Sequence, residues 1–570
     1  MKHLLALGLT VTLAFAACGG DEPSGPDTPP PVLTGASPAT GTIGTEVRID
    51  GTGFVAGATV SFDDLASDSV DLEDGALFAF APAGLMAGST YDIRVTNPDG
   101  GADTLAAAFT AVAPSVDRIN GVSKPTGLPG MTIIIEGSGF GDDLAASGGA
   151  VFFRNSDGTV LEAAIAEPAT DWTDGFIVTT VPQGVSDTSH VWVETALGAS
   201  DSIAFRLIQT GAFSPSTIEW TETTALPQPL QGLGAVFVPV EEGAAPANYV
   251  FALAGADTLG AATDVVYRAA VEASGALGAG WSAVASLPAP RAYHAAAAAT
   301  GYTAALDTTT TAAYLYVLGG EDAEGTVVAN VFVGHVDLTG EVTGWTETQP
   351  LPQALRSASA VLFRGFIYVA GGVGADGAPV ATVYRAAINP DGTLGSWEAL
   401  DAAVPVAAAS SSLLNFGPFL YLVGGDSATA VPPEQATTSG GELADVYMAR
   451  IDLRTGGLSA DGWTATAAMG KGRSKHSTVF AGGSLFVTSG VYAGQAGSSE
   501  NIYGSLQSDG RVESWNGATG VNTIGTLLGY DLYNQAAITF IDGLGNGHVL
   551  VLGGAKRGSE GEASAAVVYY

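Results

Sequence analysis

Two adjoining stretches, ASAVLFRGFIYVAGG at residues 358–372 and TVYRAAINPDGTLGSW at 382–397, decide the fold. Ala358–Phe363 and Phe366–Ala370 are short apolar runs whose β-branched and aromatic residues suit a pleated sheet, and the second ends in Gly371-Gly372. A third run, Thr382–Ile388, leads through the turn Asn389–Gly392 to a strand bearing Trp397. The tryptophan recurs as Trp220, Trp281, Trp345, Trp397, Trp463 and Trp515, at spacings of 61, 64, 52, 66 and 52 residues. The glycine pair recurs as Gly319-Gly320, Gly424-Gly425 and Gly553-Gly554, and in degenerate form as Ala254-Gly255 and Ser489-Gly490.

Four strands in each of six repeats predict a six-bladed β-propeller over residues 213–570. One such unit leaves both faces of its sheet bare, so neighbours must stack and the array must close. The glycine pairs belong near the crowded axis, where backbones approach one another. Tyr316, Tyr368, Tyr421, Phe486 and the tryptophans are expected to pack between blades. The last segment, Ala565–Tyr570, is only the third strand of its blade, while Thr217–Trp220 is a tryptophan strand with no blade of its own. Pairing the two closes the ring and leaves no edge open.

The double glycine, the spaced Tyr and Trp, and an Arg before the first strand (Arg291, Arg356, Arg473) resemble kelch repeats across some 355 residues. Blades one, four and six depart from the pattern in lacking that Arg, and blades one and five lack the full glycine pair.

Upstream, Gly44-Thr-Glu-Val47-Arg-Ile49-Asp-Gly51-Thr-Gly53-Phe54 returns 86 residues later as Gly130-Met-Thr-Ile133-Ile-Ile135-Glu-Gly137-Ser-Gly139-Phe140. The alternating apolar positions read as one buried strand face, and the glycines permit a tight turn that the Phe plugs. Residues 32–113 and 114–209 resemble IPT/TIG domains, which implies two immunoglobulin-like β-sandwiches serving presentation rather than chemistry. The expected class is therefore all-β, with two sandwiches followed by the propeller.

The single cysteine is explained by its position. Residues 1–17 have a short basic start and an apolar run too short to span a bilayer well, and Ala16-Ala17 stands directly before Cys18. Phe15-Ala16-Ala17-Cys18 resembles a bacterial lipobox, which implies cleavage and lipidation at Cys18 and a membrane anchor of several acyl chains. The Pro- and Gly-rich segment 18–31 reads as a tether. The expected location is the cell envelope, at the outer membrane or cell surface.

With 20 basic against 57 acidic residues, the net charge of −37 argues against nucleic acid as a partner. The six histidines show no zinc-ligand spacing, no EF-hand run occurs, and no cofactor or metal is expected. There is no G-x-S-x-G, H-E-x-x-H or P-loop, and no cysteine follows residue 18 for a copper-radical oxidase.

In a four-stranded blade, the loops after strands two and four share one face. That face should carry Arg291, Arg356 and Arg473 with Asp257, Glu321, Asp322, Asp376 and Asp426, and His294 and His476 three residues beyond two of the arginines. Such a set can grip a carboxylate or a sugar, or can be salt bridges between blades. The long insertions Ser427–Glu442, which contains Glu434, and Tyr492–Glu500 enlarge the same face. The reading is a lipid-anchored binding or adhesion protein for a glycan or protein ligand. The alternative is a carbohydrate-active hydrolase, lyase or isomerase using acids on that face, and a purely structural envelope component is the third possibility.

Overall fold

The computed structural model describes residues 29–120, 125–127, 129–165, 168–207, 214–240, 247–272, 274–278, 280–300, 310–428, 439–453, 455–492, 500–507, 509–517, 523–541, 547–557 and 562–570. The expected signal segment 1–17, Cys18, most of the tether and Glu434 lie outside these residues. The described chain is all-β, with three short helices at Leu144–Ser147, Pro168–Asp171 and Ile524–Leu528. It divides into two compact units, one built from residues 46–82 and 90–109 with the chain up to 39, the other from 40–45, 83–89 and everything after 109.

The first unit holds the sheet Val32–Ser37, Glu46–Thr52, Ala76–Phe80, Val70–Glu73, in that spatial order. Val47, Ile49, Val60 and Ile93 are fully buried, and Phe62 meets Phe109 edge-to-face with ring centroids 5.2 Å apart. The second unit opens with the counterpart sheet Ser115–Ile119, Thr132–Ser138, Phe176–Thr180, Trp172–Thr173, in the same order. Here Phe153 meets Phe205 edge-to-face at 5.4 Å, over Ile133, Ile135 and Val191. The repeated glycine has one cause in both copies. A Cβ on Gly51 would collide with the Val32 carbonyl and the Phe54 ring, and one on Gly137 with the Ser115 carbonyl and the Phe140 ring.

Six four-stranded antiparallel sheets follow. Their first two strands are Gly234–Val240 and Ala247–Ala256; Ala295–Thr300 and Thr311–Leu318; Leu355–Phe363 and Phe366–Gly374; Ser412–Phe416 and Phe419–Val423; Ser477–Ala481 and Ser484–Thr488; and Ala536–Ile541 and Gly547–Leu552. The first strands of sheets one and two alternate in burial, as in Gly234–Val240, whereas second strands such as Phe419–Val423 are buried throughout. A strand covered by a neighbouring sheet on each side loses the polar alternation of a one-faced sheet.

Sheets one to five take all four strands in chain order, ending at Ser282–Ala283, Val342–Thr348, Glu398–Ala399, Leu458–Ala465 and Val512–Gly517. Sheet six takes Val567–Tyr569 as its third strand and Thr221–Glu222 as its fourth, with Thr221 opposite Tyr569 and Glu222 opposite Val568. The pairing segment is thus the one directly after 217–220. Ile218 and Trp220 are instead core, fully buried against Phe486 and Val549.

Two series of backbone hydrogen bonds pass from sheet to sheet and return to their start. The second residue of each glycine pair donates its N–H to the loop leading into the next sheet: Gly255 to Arg291, Gly320 to Leu355, Gly372 to Ala408, Gly425 to Arg473, Gly490 to Leu532 and Gly554 to Leu230, at 2.8–3.0 Å. In the second series, Tyr293 donates to Gly232, Ser357 to Tyr293, Ser410 to Ser357, Lys475 to Ser410, Asn534 to Lys475 and Gly232 to Asn534, at 2.8–3.1 Å. All six residues of this second cycle have φ between 51° and 56°. The left-handed conformation turns each residue's N–H and C=O toward different neighbours, at some steric cost for the five that are not glycine.

Candidate functional site

The second hydrogen-bonded cycle marks one end of the six first strands. The loops after the glycine pairs and the loops entering each sheet gather at this end and form the loop face, where every ligand-binding residue expected from the sequence was placed. The residue after each glycine pair bridges the residue before the cycle member, as Glu321 does with Ala292 and Asp426 with Ala409.

The three arginines fall into two classes. Arg291 and Arg473 stand two positions before the cycle residues Tyr293 and Lys475, and both are nearly inaccessible. Arg291 donates to the Pro290 carbonyl at 2.7 Å and lies over the Phe332 ring at 4.7 Å. Arg473 donates to the carbonyls of Ser489 at 3.2 Å and Glu500 at 2.9 Å, and its other terminal nitrogen is 3.4 Å from the Glu500 carboxylate. Burial lowers the pKa of both guanidiniums from the usual value. Arg356 stands one position before its cycle residue, Ser357. Its guanidinium reaches across to Glu321 of the preceding sheet at 2.5 Å, and both side chains remain partly exposed.

His294 and His476 occupy equivalent places directly after cycle residues and are buried between sheets. Burial, with Arg291 or Arg473 adding to it, holds each imidazole down to about 3, so both are neutral at pH 7. His476 Nδ1 is 3.1 Å from Thr478 Oγ1 and 3.4 Å from Ser412 Oγ. Neither ring is presented to the face.

Most of the acids shape loops. Asp257 Oδ1 accepts from the N–H groups of Leu259 and Ala261, Asp322 Oδ1 from Glu324 and Thr326, and Asp376 Oδ1 from Ala378. Asp426 is buried and accepts from Ala428 N–H at 2.9 Å and Ser439 Oγ at 2.7 Å, while Glu442 accepts from the N–H groups of Ser439 and Gly440. Together they pin the stem of the long insertion.

The structure adds residues the sequence reading did not select. Lys471 lies over the Tyr492 ring at 4.8 Å, and Lys556 over Tyr530 at 5.4 Å. Lys556 also pairs with Glu562 at 2.7 Å, and Arg557 with Asp531 at 3.0 Å. Lys471 and Lys556, two of the chain's five lysines, thus lie at the loop face, and Lys475 is a buried member of the hydrogen-bond cycle. The signal was present: Lys556-Arg557 follows Gly553-Gly554 almost as Glu321-Asp322 follows Gly319-Gly320.

Farther along the first strands lies a cavity of about 360 Å³, walled by Val236, Ala298, Val361, Leu414, Val479 and Ile538 from all six sheets. At the far end of these strands the second sandwich packs on the hairpin turns of sheets three and four. Arg364 lies over the Phe176 ring at 3.1 Å, Arg450 forms an ion pair with Asp171, and Ile134 and Val178 enter the apolar cluster of Phe363 and Leu420. The loop face is therefore on the side away from that sandwich.

Residues 31–111 match the model of the IPT/TIG domain. The first sandwich is an IPT/TIG domain. Among solved structures, the chain is similar to one described as "Structure of YjhT", at 14% identity and a TM-score of 0.42, over 60% of this chain and 95% of that one. It is also similar to SGBP-B from a complex xyloglucan utilization locus in Bacteroides uniformis, at 16% identity and a TM-score of 0.19, over 42% of this chain and 66% of that one. At these scores neither likeness bears on the site. No curated protein matches the chain.

Proposed function

We propose that the six sheets are the blades of a kelch-type six-bladed β-propeller, and that the protein is exported, lipid-anchored through Cys18, and binds a glycan or protein ligand on the loop face. The two closed hydrogen-bond cycles support the propeller reading, since a bond series that returns to its first sheet requires an unbroken ring. The observation that carries the binding reading is the placing of Lys471 over Tyr492 and of Lys556 over Tyr530 at this face, in a chain of net charge −37. An ammonium beside an aromatic ring offers both a donor and a flat apolar surface, which suits hydroxylated and carboxylate-bearing ligands. The Arg356–Glu321 pair adds a partly exposed donor and acceptor. The second sandwich packs at the opposite end of the first strands, away from this face.

The test uses the chain from Cys18 onward with Cys18→Ser, applied to a glycan array and to a turnover screen on the same sugars. Binding should appear, and Lys556→Ala with Tyr492→Ala should weaken it about tenfold or more. Turnover abolished by Asp426→Asn or Glu321→Gln would overturn the binding reading in favour of catalysis. Labelled palmitate should enter the wild-type protein in a bacterial host and be absent from Cys18→Ser.

A further inference from the structure

A crevice of about 260 Å³ lies where the second sandwich meets sheets four and five. The sandwich contributes Thr132, Asp171 and Thr179, and the sheets contribute Arg450, Asp461 and Arg511. It is at the opposite end of the first strands from the loop face and shares no residue with it. Clefts between modules are common ligand sites, and this volume falls just below the roughly 300–1,000 Å³ of drug-sized pockets, enough for a single small ring.

The crevice carries three carboxylates and two guanidiniums, and four of these five charges are paired with one another. Arg450 is paired with Asp171, which is almost wholly buried, and Arg511 Nε lies 3.7 Å from Asp509 Oδ2. An added anion would meet the carboxylates of Asp171, Asp461 and Asp509, and an added cation would meet two guanidiniums. A zwitterion would have to separate the Arg511–Asp509 pair. Paired charges nonetheless keep hydrogen-bonding capacity, because a guanidinium has five donors and a carboxylate about four acceptor sites. The hydroxyl of Thr464 donates to the carbonyl of Met448 at 3.3 Å, which leaves its lone pairs for an incoming donor. Val178 and Met448 supply apolar wall beside these groups. Donors, acceptors and a small apolar surface, with a net charge of only −1, meet the needs of a ring of hydroxyls and C–H groups.

We propose that this crevice is a second binding site, for a single neutral pyranose, independent of any ligand on the loop face. The sugar's hydroxyls donate to Asp461, Asp509 and the Thr464 lone pairs, and its oxygens accept from Arg511.

The test is saturation-transfer NMR and calorimetric titration of the chain from Cys18 onward carrying Cys18→Ser. The probes are glucose, galactose, mannose and N-acetylglucosamine, with glucuronate and glycine as charged controls. At least one neutral sugar should bind saturably, and Arg511→Ala and Asp461→Ala should each weaken it about tenfold at unchanged Tm. Thr180→Trp, which adds bulk inside the crevice, should abolish it, whereas Lys556→Ala on the loop face should leave it intact. No saturable signal up to about 50 mM sugar overturns the site. So does binding that survives the three crevice variants. Tighter binding of glucuronate or glycine than of any neutral sugar overturns the assigned ligand class.

Discussion

His294 and His476 sit at one structural position in two sheets, each a neutral imidazole sealed between neighbours beside a buried arginine. Their folded pKa lies near 3, below the ordinary 6.5. As pH falls below about 6.5 the unfolded chain takes up protons that the folded chain refuses until about 3, so stability present above that window is lost on acidification. Each histidine should contribute a slope of up to about 1.4 kcal/mol per pH unit there. Denaturant titrations from pH 7 to 4 should show a shallower decline for His294→Gln and for His476→Gln than for the wild type, and an equal slope would refute the assignment. The R-x-x-H spacing at 291–294 and 473–476 was legible in the sequence, but its meaning was not. Register decides it: Arg356 stands one position later relative to the cycle and is turned to Glu321, so what looked like one set of three arginines is two buried braces and one partly exposed pair. No residue type marks that register, because Gly232, Tyr293, Ser357, Ser410, Lys475 and Asn534 have only their backbone conformation in common.

Between sheets, the repeated residues act as fasteners. The indole N–H of Trp281 donates to the Thr224 carbonyl at 3.0 Å, Trp345 to Ala285 at 2.8 Å, Trp397 to Gln349 at 3.1 Å and Trp515 to Ala467 at 2.7 Å. In each case the acceptor lies four residues past the preceding sheet's tryptophan. The hydroxyls of Tyr316, Tyr368 and Tyr421 donate at 2.6–2.8 Å to the carbonyls of Gly392, Gly456 and Gly510 in the next sheet. Those glycines have φ near +70° to +82°, and a Cβ there would collide with Tyr314, Phe366 and Phe419. Tyr421→Phe should cost about 0.5–1.5 kcal/mol, the usual worth of one hydrogen bond. Gly510→Ala should cost more, since it adds backbone strain to overpacking of about 1–3 kcal/mol; comparable losses in urea melts for the two would refute the fastener geometry. The periodicity of these residues could be read in the sequence because packing preserves residue type. The partner carbonyls could not, because any residue supplies one.

At the scale of the molecule, the proposed ring rests on the pairing of Thr221–Glu222 with Val567–Tyr569 and on Trp220 beneath it. Deleting residues 216–222 should lower Tm and cause exchange of strands between copies, read as a shift to dimer or larger by light scattering, whereas an unchanged monomeric melt would refute closure by this segment. The sequence reading paired 217–220 with the last strand, whereas Thr221–Glu222 pairs there. The reason is that Ile218 and Trp220 carry the strand-like signal while serving as core, and the residues that pair, Thr221 and Glu222, are exposed and unremarkable in type. How the second sandwich packs on sheets three and four was not legible, because it depends on Arg364, Phe176, Asp171 and Arg450, which lie in separate parts of the chain and have no shared period.

The aromatic–glycine contact between sheets has a gap that says where this circle is cut. Tyr249, Tyr314, Phe366, Phe419 and His548 each abut a glycine turn in the next sheet, and the equivalent position in sheet five is Ser484. The turn it would face does not exist, since the third and fourth strands of sheet six come from opposite ends of the ring-forming chain. Topologically the six sheets are a loop of chain opened at that one place. A circular permutant that joins Tyr570 to Thr221 by a short glycine-containing turn, with Ser484→Phe to fill the vacated contact and new ends cut in another outer turn, should fold to the same ring.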